Sequence, residues 1–295
     1  AADRQGRIRH GDGVTHSPAA PYPGTVSSPV AFVKGHGTGN DFVLLPDTDD
    51  RLVLGPDLVA ALCDRRFGVG ADGVIRIVPD RSGHGWFMDY WNSDGSLGEM
   101  CGNGARVFAR YLVDTGREPA GEFEFVTRGG IRRASVPVTG PVTIEMGPVT
   151  GFGDPVTVSR GSDSWSATAA FVPNPHAVAF LPTLSDLGDI AGATAGPDEA
   201  FPEGANVEFV EVLAPDRVRM RVWERGSGET LSCGTGACAV AWAHARVNHV
   251  PDRAITVLVP GGEVVVGLDD SVTLTGPAEF VAHGTIDPDW WRRHS

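Results

Sequence analysis

Long apolar runs are what this chain most plainly lacks. Nowhere in its 295 residues does an apolar stretch approach the ~18 residues of a membrane span, so no membrane partner is expected. Positive charge is in short supply as well. Lys and Arg number 24 against 37 Asp and Glu, a formal net charge of −13. No basic stripe breaks that acidic background, so no nucleic-acid partner is expected. Cysteine is scarce: Cys63, Cys101, Cys233 and Cys238 are all there is, too few for a disulfide-built scaffold of this length. No C-x-x-C occurs, and Cys233 and Cys238, five apart on one expected helix, do not share a face, so no metal site is expected. Residues 1–29 hold Arg4, Arg7, Arg9 and several Gly and Pro, but no apolar signal-peptide core. They read as a flexible N-terminal extension outside the fold. Free thiols without a secretion signal point to a reducing cytoplasm. The remaining balance, 41% hydrophobic and 21% charged, is that of a soluble globular protein with one large domain or two ordinary ones.

What the chain has is glycine, and two of its glycine-rich turns match. Residues 223–245 read WERGSGETLSCGTGACAVAWAHA, and residues 101–112 read CGNGARVFARYL. In each, Cys-Gly-x-Gly-Ala opens a helical pattern after a polar, glycine-containing turn. The small residues leave the backbone N–H groups of the first helical turn open to a ligand, where the helix dipole also favours negative charge. The same position lowers a thiol's pKa, so thiolate near neutrality is expected at Cys101 and Cys233. The first helix shows one apolar face of Ala105, Phe108 and Leu112, and the second is small and apolar enough to be buried on most sides. A motif repeated about half a chain apart suggests two similar halves.

The rest of the chain reads mostly as strands: AFVKGHG, DFVLLPD, VIRIVPD, GWFMDYW, FEFVTRG, IRRASVPV and VTIEMG in the first half. PDLVAALCDRR is a short helix with Pro56 at its start. Gly147 to Gly153 is a plausible domain crossing. In the second half, SWSATAAFVPNPHAVAFL gives two strands, ANVEFVEVLAPDRVRMRVWERG a hairpin, and RAITVLVPGGEVVVGLDDSVTLTG a run of short strands. Residues 182–204 are loop-rich with room for one short helix, and the DWWRRHS tail carries no assignment. Many strands with one long buried helix per half describe an α+β protein of two domains.

Two glycine motifs are set aside. GVGADG at Gly68–Gly73 matches G-x-G-x-x-G, but a strand follows where a dinucleotide site needs a helix, and GHGTGN at Gly35–Asn40 fails for the same reason. Both read as tight turns. Cys63 and Cys238 suit the usual fate of a lone cysteine, a small buried side chain. Cys101 and Cys233 lack the close spacing of an oxidoreductase dithiol. What remains is a two-thiol acid–base site. One thiolate takes a proton from a carbon, a thiol on the opposite face returns one, and two helix N-termini stabilise the charge that develops.

CGNGAR, NPH, ERGSGET followed by CGTGAC, and KGHGTGNDFV near the start together resemble the diaminopimelate epimerase family over roughly residues 30–285. The resemblance implies two pseudo-symmetric domains, each a strongly curved, mostly antiparallel sheet wrapped round a central helix. Their expected limits are 30–146 plus 277–295 for the N-terminal half and 147–276 for the C-terminal half. It implies epimerisation of LL-2,6-diaminopimelate to the meso form, on the route to lysine and peptidoglycan precursors, with no pyridoxal phosphate, metal or other cofactor. The partner would be that small-molecule substrate, and family members often form homodimers. Cys101 and Cys233 would be the catalytic pair. Gly102, Asn103, Gly234 and Thr235 would hold the carboxylate at the reacting centre. Asn40, Asn92, Asn174, Asn206, Glu224 and Arg225 would complete the substrate site, with His176 and Glu224 tuning the thiols. Gly73 departs from the pattern, since many members carry a substrate-contacting Gln there.

Each of these residues has a plainer reading. Asn40, Asn92 and Asn206 suit turns, His176 after Asn-Pro suits a solvated loop, and Glu224–Arg225 suits a surface pair worth little. A planar guanidinium nevertheless matches a carboxylate well, and a substrate with two carboxylates needs a second anchor. Two other functions compete: a proline-racemase-type enzyme, which typically has His where Asn103 stands and lacks the ERGSGET run, and a non-catalytic thiol-switch protein.

Overall fold

The computed structural model describes residues 28–151, 155–196, 200–251, 254–269 and 271–295. The extension expected over residues 1–29 falls almost wholly outside them. Alternating side chains write most of the architecture. In RVRMRVWE, for example, Val218, Met220 and Val222 turn inward while Arg217 and Arg219 face out, the period-two pattern of a half-buried strand.

The first half runs β1 (Val30–Gly37), β2 (Asn40–Pro46), α1 (Pro56–Cys63), β3 (Gly73–Pro79), β4 (Trp86–Asn92), α2 (Gly102–Asp114), β5 (Gly121–Thr127), β6 (Gly130–Val136) and β7 (Val142–Gly147). Two short strands follow, β8 (Thr150–Gly151) and β9 (Val156–Arg160). The second half runs β10 (Asp163–Val172), β11 (Asn174–Leu181), β12 (Thr194–Ala195), β13 (Asn206–Ala214), β14 (Arg217–Glu224), β15 (Gly228–Thr230), α3 (Gly234–Val247), β16 (Ile255–Val259), β17 (Gly262–Leu268) and β18 (Val272–Gly276). The chain closes with β19 (Glu279–Ile286) and α4 (Pro288–His294).

The two halves obey one grammar. From β1 to β7 successive pairings are antiparallel, parallel, antiparallel, parallel, antiparallel and antiparallel. The pairings of β10, β11, β13, β14, β16, β17 and β18 repeat that order. In each half the central helix is the crossover of the second parallel step: α2 leads from β4 to β5, and α3 from β14 to β16. The last strands of the halves then pair with each other, β7 antiparallel to β18 with Ile144 opposite Leu274. This is the expected α+β fold of two curved, mostly antiparallel sheets, each around one helix.

Because each sheet curls round its helix, α2 is buried on every side from Gly102 to Leu112, not on one face as the periodicity suggested. Strands β1, β2, β3, β4, β6 and β7 all lie against it. Phe108 has no exposed surface and packs against Phe125 with ring centroids 5.1 Å apart. Burying such a ring contributes about 1.5–3 kcal/mol.

Two expectations need correction. No helix forms between β11 and β13 among the described residues. Gly188, Gly192 and Gly196 take φ of 65°, 75° and 78° there, left-handed values that end any helical run. The passage instead buries Leu184, Leu187 and Ile190 as turns. The tail, left unassigned, is α4. The Asp287 side chain caps it by accepting from the backbone N–H of Asp289 and Trp290, and Pro288 follows at the first position. Its Trp291 is buried in the same cluster as α1.

Candidate active site

The two Cys-Gly-x-Gly-Ala segments come together. Cys101 and Cys233 are the N-cap residues of α2 and α3, both in extended conformation. A Cβ on Gly234 would lie 3.2 Å from Gly102 Cα and 3.4 Å from Asn103 N, so the first turns of the two helices touch and no side chain fits between them. Leu274 on β18 and Met146 on β7 form the floor: Leu274 Cδ2 would be 2.9 Å from a Cβ on Gly102 and 3.0 Å from one on Gly234. The β7–β18 ladder thus runs beneath the meeting point.

On the Cys101 side, the thiol donates to Asn40 Oδ1 at 3.6 Å, and Asn103 Nδ2 donates to the same oxygen at 3.2 Å. Asn40 is held in that orientation because its Nδ2 donates to Asp72 Oδ2 at 2.9 Å. Asn103 Nδ2 also donates to Ser232 O at 3.0 Å, which ties α2 to the turn before α3. The β1–β2 turn joins them. Thr38 has φ of 52°, a left-handed value unusual for a branched residue, and its hydroxyl lies 2.7 Å from that of Ser232.

On the Cys233 side, the sulfur accepts from Gly236 N–H at 3.4 Å and lies 3.5 Å from the Thr235 hydroxyl. Glu224 accepts from the Thr230 hydroxyl and interacts with the Cys233 thiol. Behind Cys233 sits a pair with no exposed surface: His176 Nδ1 is 2.6 Å from Glu208 Oε1, while His176 Nε2 is 3.0 Å from Asn174 Oδ1. Gly236 makes room for it, since a Cβ there would be 2.7 Å from Glu208 Oε1 and 3.3 Å from the Cys233 sulfur.

The remaining expected residues stand further out. Asn206 Oδ1 accepts from the backbone N–H of Arg225 at 2.9 Å. The Arg225 guanidinium is half exposed, donates to Glu203 O at 2.9 Å and lines a cavity of about 420 Å³ with Trp223, Pro202 and Ala195. Asn92 is bonded to the Tyr90 hydroxyl at 2.9 Å and to Ser96 at 2.9 Å. Opposite Asn92, Gly73 has no room for a side chain: a Cβ would lie 2.6 Å from Trp91 O and 2.8 Å from the Tyr90 ring. Tyr90 fills the space that a Gln at position 73 would need.

Sequence reasoning passed over Glu208, Asp72, Tyr90, Ser232 and Arg106. A signal existed for Glu208: it lies inside NVEFV, a run buried at all five positions of β13, where an unpaired carboxylate would be costly.

The expectation of thiolate near neutrality is overturned. Burial pushes the Cys101 thiol up to about 11, against the N–H donors of Gly104 and Asn103. Burial pushes Cys233 well above the ordinary thiol range, and the Glu224 and Glu208 carboxylates add to it. Helix-terminal donors act on both sulfurs, but desolvation outweighs them. A pair of raised thiols holds the mixed thiol–thiolate form only scarcely at neutral pH, and that form grows as pH rises. The rate of two-thiol proton exchange is therefore expected to climb from about pH 7 to about pH 9. A kcat/KM profile flat or falling over that range would contradict the shifts.

Two sheets that repeat one strand order, each curled round a central helix, define a fold class. The fold is shared with a Bacillus anthracis phenazine biosynthesis protein of the PhzF family (TM-score 0.66, 14% identity, 88% of this chain and 99% of that one). A probable proline racemase from Agrobacterium radiobacter K84 shares it too (TM-score 0.65, 13% identity, 88% and 93%). Within that class, residues 32–151 and 168–281 match the family model for diaminopimelate epimerase. The chain is 47% identical over 283 residues to the diaminopimelate epimerase of Streptomyces coelicolor, covering 90% of this chain and 98% of that protein. It is 43% identical over 285 residues to that of Mycolicibacterium smegmatis, covering 88% and 98%. The chain belongs to the diaminopimelate epimerase family. Among the described residues no helix is long and apolar enough to cross a membrane.

Proposed function

We propose that this protein interconverts LL- and meso-2,6-diaminopimelate by a two-cysteine acid–base mechanism, in the cytoplasm, on the route to lysine and peptidoglycan precursors. The observation that carries this reading is the contact between the two cysteine-capped helix starts. A carbon held between them would face one sulfur on each side, each about 3–3.5 Å away. One thiolate takes the α-proton and becomes a thiol. The electron pair left on carbon spreads into the α-carboxylate, which the N–H groups of Gly102, Asn103, Gly234 and Thr235 and the dipoles of α2 and α3 stabilise. The opposite thiol gives its proton to the other face and becomes the thiolate. The centre is inverted, the charge is unchanged, and the sulfurs have exchanged roles.

In this reading Asn40, Asn92, Asn174 and Asn206 orient the substrate, Arg225 and Glu224 engage its polar groups, and His176 with Glu224 sets the proton affinity of the thiols. The halves divide at 30–146 plus 277–295 and at 147–276, which the pairing of β19 with β1 and of β18 with β17 supports. Incubation with LL-diaminopimelate in deuterated water tests the function. Chiral separation and mass spectrometry should find the meso isomer with one deuterium at the inverted carbon. Neither isomerisation nor deuterium uptake, under conditions where the thiols are reduced, would overturn the reading.

A further inference from the structure

Arg106 lies in the middle of α2 with no exposed surface. A buried guanidinium is ordinarily held by carboxylates; buried Arg110 is paired with Asp114, and the half-buried Arg76 is held by Asp47, Asp50 and Asp89. Arg106 has neutral oxygens instead: Pro277 O at 3.3 Å from Nε, Gly102 O at 3.4 Å from Nη1 and Thr38 Oγ1 at 3.3 Å from Nη2. All three bonds are long. The place is nevertheless shaped for the guanidinium. A Cβ on Gly37 would lie 2.9 Å from Nη2, and one on Gly276 would lie 3.2 Å from Nε. Among the described residues, the core therefore holds a cation with no anion bonded to it.

The cation faces the site. The side chain folds back toward the first turn of its own helix, the direction helical side chains take, and Cys101 caps that turn. The ionisable groups that Arg106 feels are Cys101 and Cys238. Beyond Asn40, Asp72 is paired with Arg65; the titratable groups nearer Cys101 are Glu224 on β14 and Tyr90 on β4. Burial pushes both of those toward their neutral forms. Glu208 is closed on His176. Cys238 is wholly buried, its thiol pushed up to about 12 by desolvation. One positive charge is left over.

We propose that Arg106 is the fixed counter-charge of the Cys101 thiolate, a positioning residue that acts on proton transfer through that sulfur. A two-thiol exchange carries one negative charge at every stage, on a sulfur or on the carbon between the sulfurs, and one buried cation matches it. Both sulfurs feel Glu224, but Glu208 stands beside Cys233 and Arg106 beside Cys101, so the thiolate, when it forms, belongs to Cys101. The charge is held in place at a cost in stability because the reaction needs it.

The proposal rests on the two-thiol reading, but its readout needs no turnover. The probe is iodoacetamide, with alkylation of Cys101 and Cys233 followed separately by peptide mass spectrometry against pH. Below the thiol's midpoint the rate tracks the thiolate fraction. Removing the charge in R106M and R106Q should slow Cys101 alkylation about tenfold at a given pH, one unit of thiol pKa. R106K should stay within roughly twofold of the parent chain, and Cys233 should change less than Cys101. A folded R106M or R106Q with the parent Cys101 rate overturns the proposal, as does R106K slowed as much as R106M. If both charge-free variants fail to fold while R106K folds, the cation serves folding and the proposal falls. Epimerisation with an unmoved Cys101 rate would sink this proposal alone; a shifted rate without epimerisation would sink the functional reading alone.

Discussion

Cys101→Ala and Cys233→Ala are each expected to slow the interconversion of LL- and meso-diaminopimelate by about 10²–10⁴-fold or more. On the proposed mechanism each removes the proton carrier on one face, and inversion needs both faces in either direction. Exchange need not stop with inversion. The surviving thiolate can still take a proton from its own side, trade it with solvent and return it. Each variant should then wash deuterium into one stereoisomer without producing the other, and the two variants should favour opposite isomers. Mass spectrometry of recovered substrate after chiral separation reads both quantities. Cys63 and Cys238 supply the controls. Both are buried, Cys63 with the α1 cluster and Cys238 within the α2–α3 core, and their alanine variants should lose stability at most. A Cys238→Ala variant without turnover, beside an active Cys233→Ala, would show the site to be wrongly placed.

Gly261→Ala is expected to be nearly as damaging, although position 261 touches neither thiol. The turn between β16 and β17 rests on the turn between β1 and β2. A Cβ on Gly261 would fall 1.8 Å from Thr38 O and 2.6 Å from Thr38 C. Those are backbone atoms, and no rotamer change relieves the clash. The turns must part, carrying Thr38 away from Ser232 and Arg106 and loosening the link between the helix starts. Overpacking of this kind costs about 1–3 kcal/mol or more, and a shift of ~1 Å between reacting groups costs about 100-fold in rate. Gly55→Ala is the comparison: a Cβ there meets nothing within 4 Å, so as the cap residue of α1 it should lower the melting point only slightly and leave the rate unchanged. A Gly261→Ala chain as stable and active as the parent would mean that the two turns do not hold the halves together.

Much of this could be seen in the sequence because the signals were local. The alternation of RVRMRVWE is enough to mark a half-buried strand, and two copies of Cys-Gly-x-Gly-Ala are enough to suggest mirrored helix starts. The Asp-Pro cap of α4 was local too and was passed over. What stayed hidden depends on neighbours distant in the chain. Periodicity shows which face of a helix is most apolar, but it cannot show a sheet curling round the opposite side, and so it gives no sign that Arg106 is buried. A thiol at a helix start looks activated until its burial is known, and burial of Cys101 and Cys233 comes from strands of both halves. Asn40 could be named as a site residue, yet its oxygen faces Cys101 only because Asp72, on the far side of α1, takes its nitrogen.

The pairing of β1 with β19 has a consequence in time. Val30 lies opposite Ile286 and Val33 opposite His283, so the strand that completes the first sheet is made after the whole second half. At a synthesis rate of about 5–20 residues per second, β1 waits on the order of 10–50 s with one edge unpaired. The first half emerges early from the ribosome and stays one strand short throughout. An open edge of that kind is a template for pairing with another chain, so the newly made protein is most exposed to aggregation in the interval before β19 arrives.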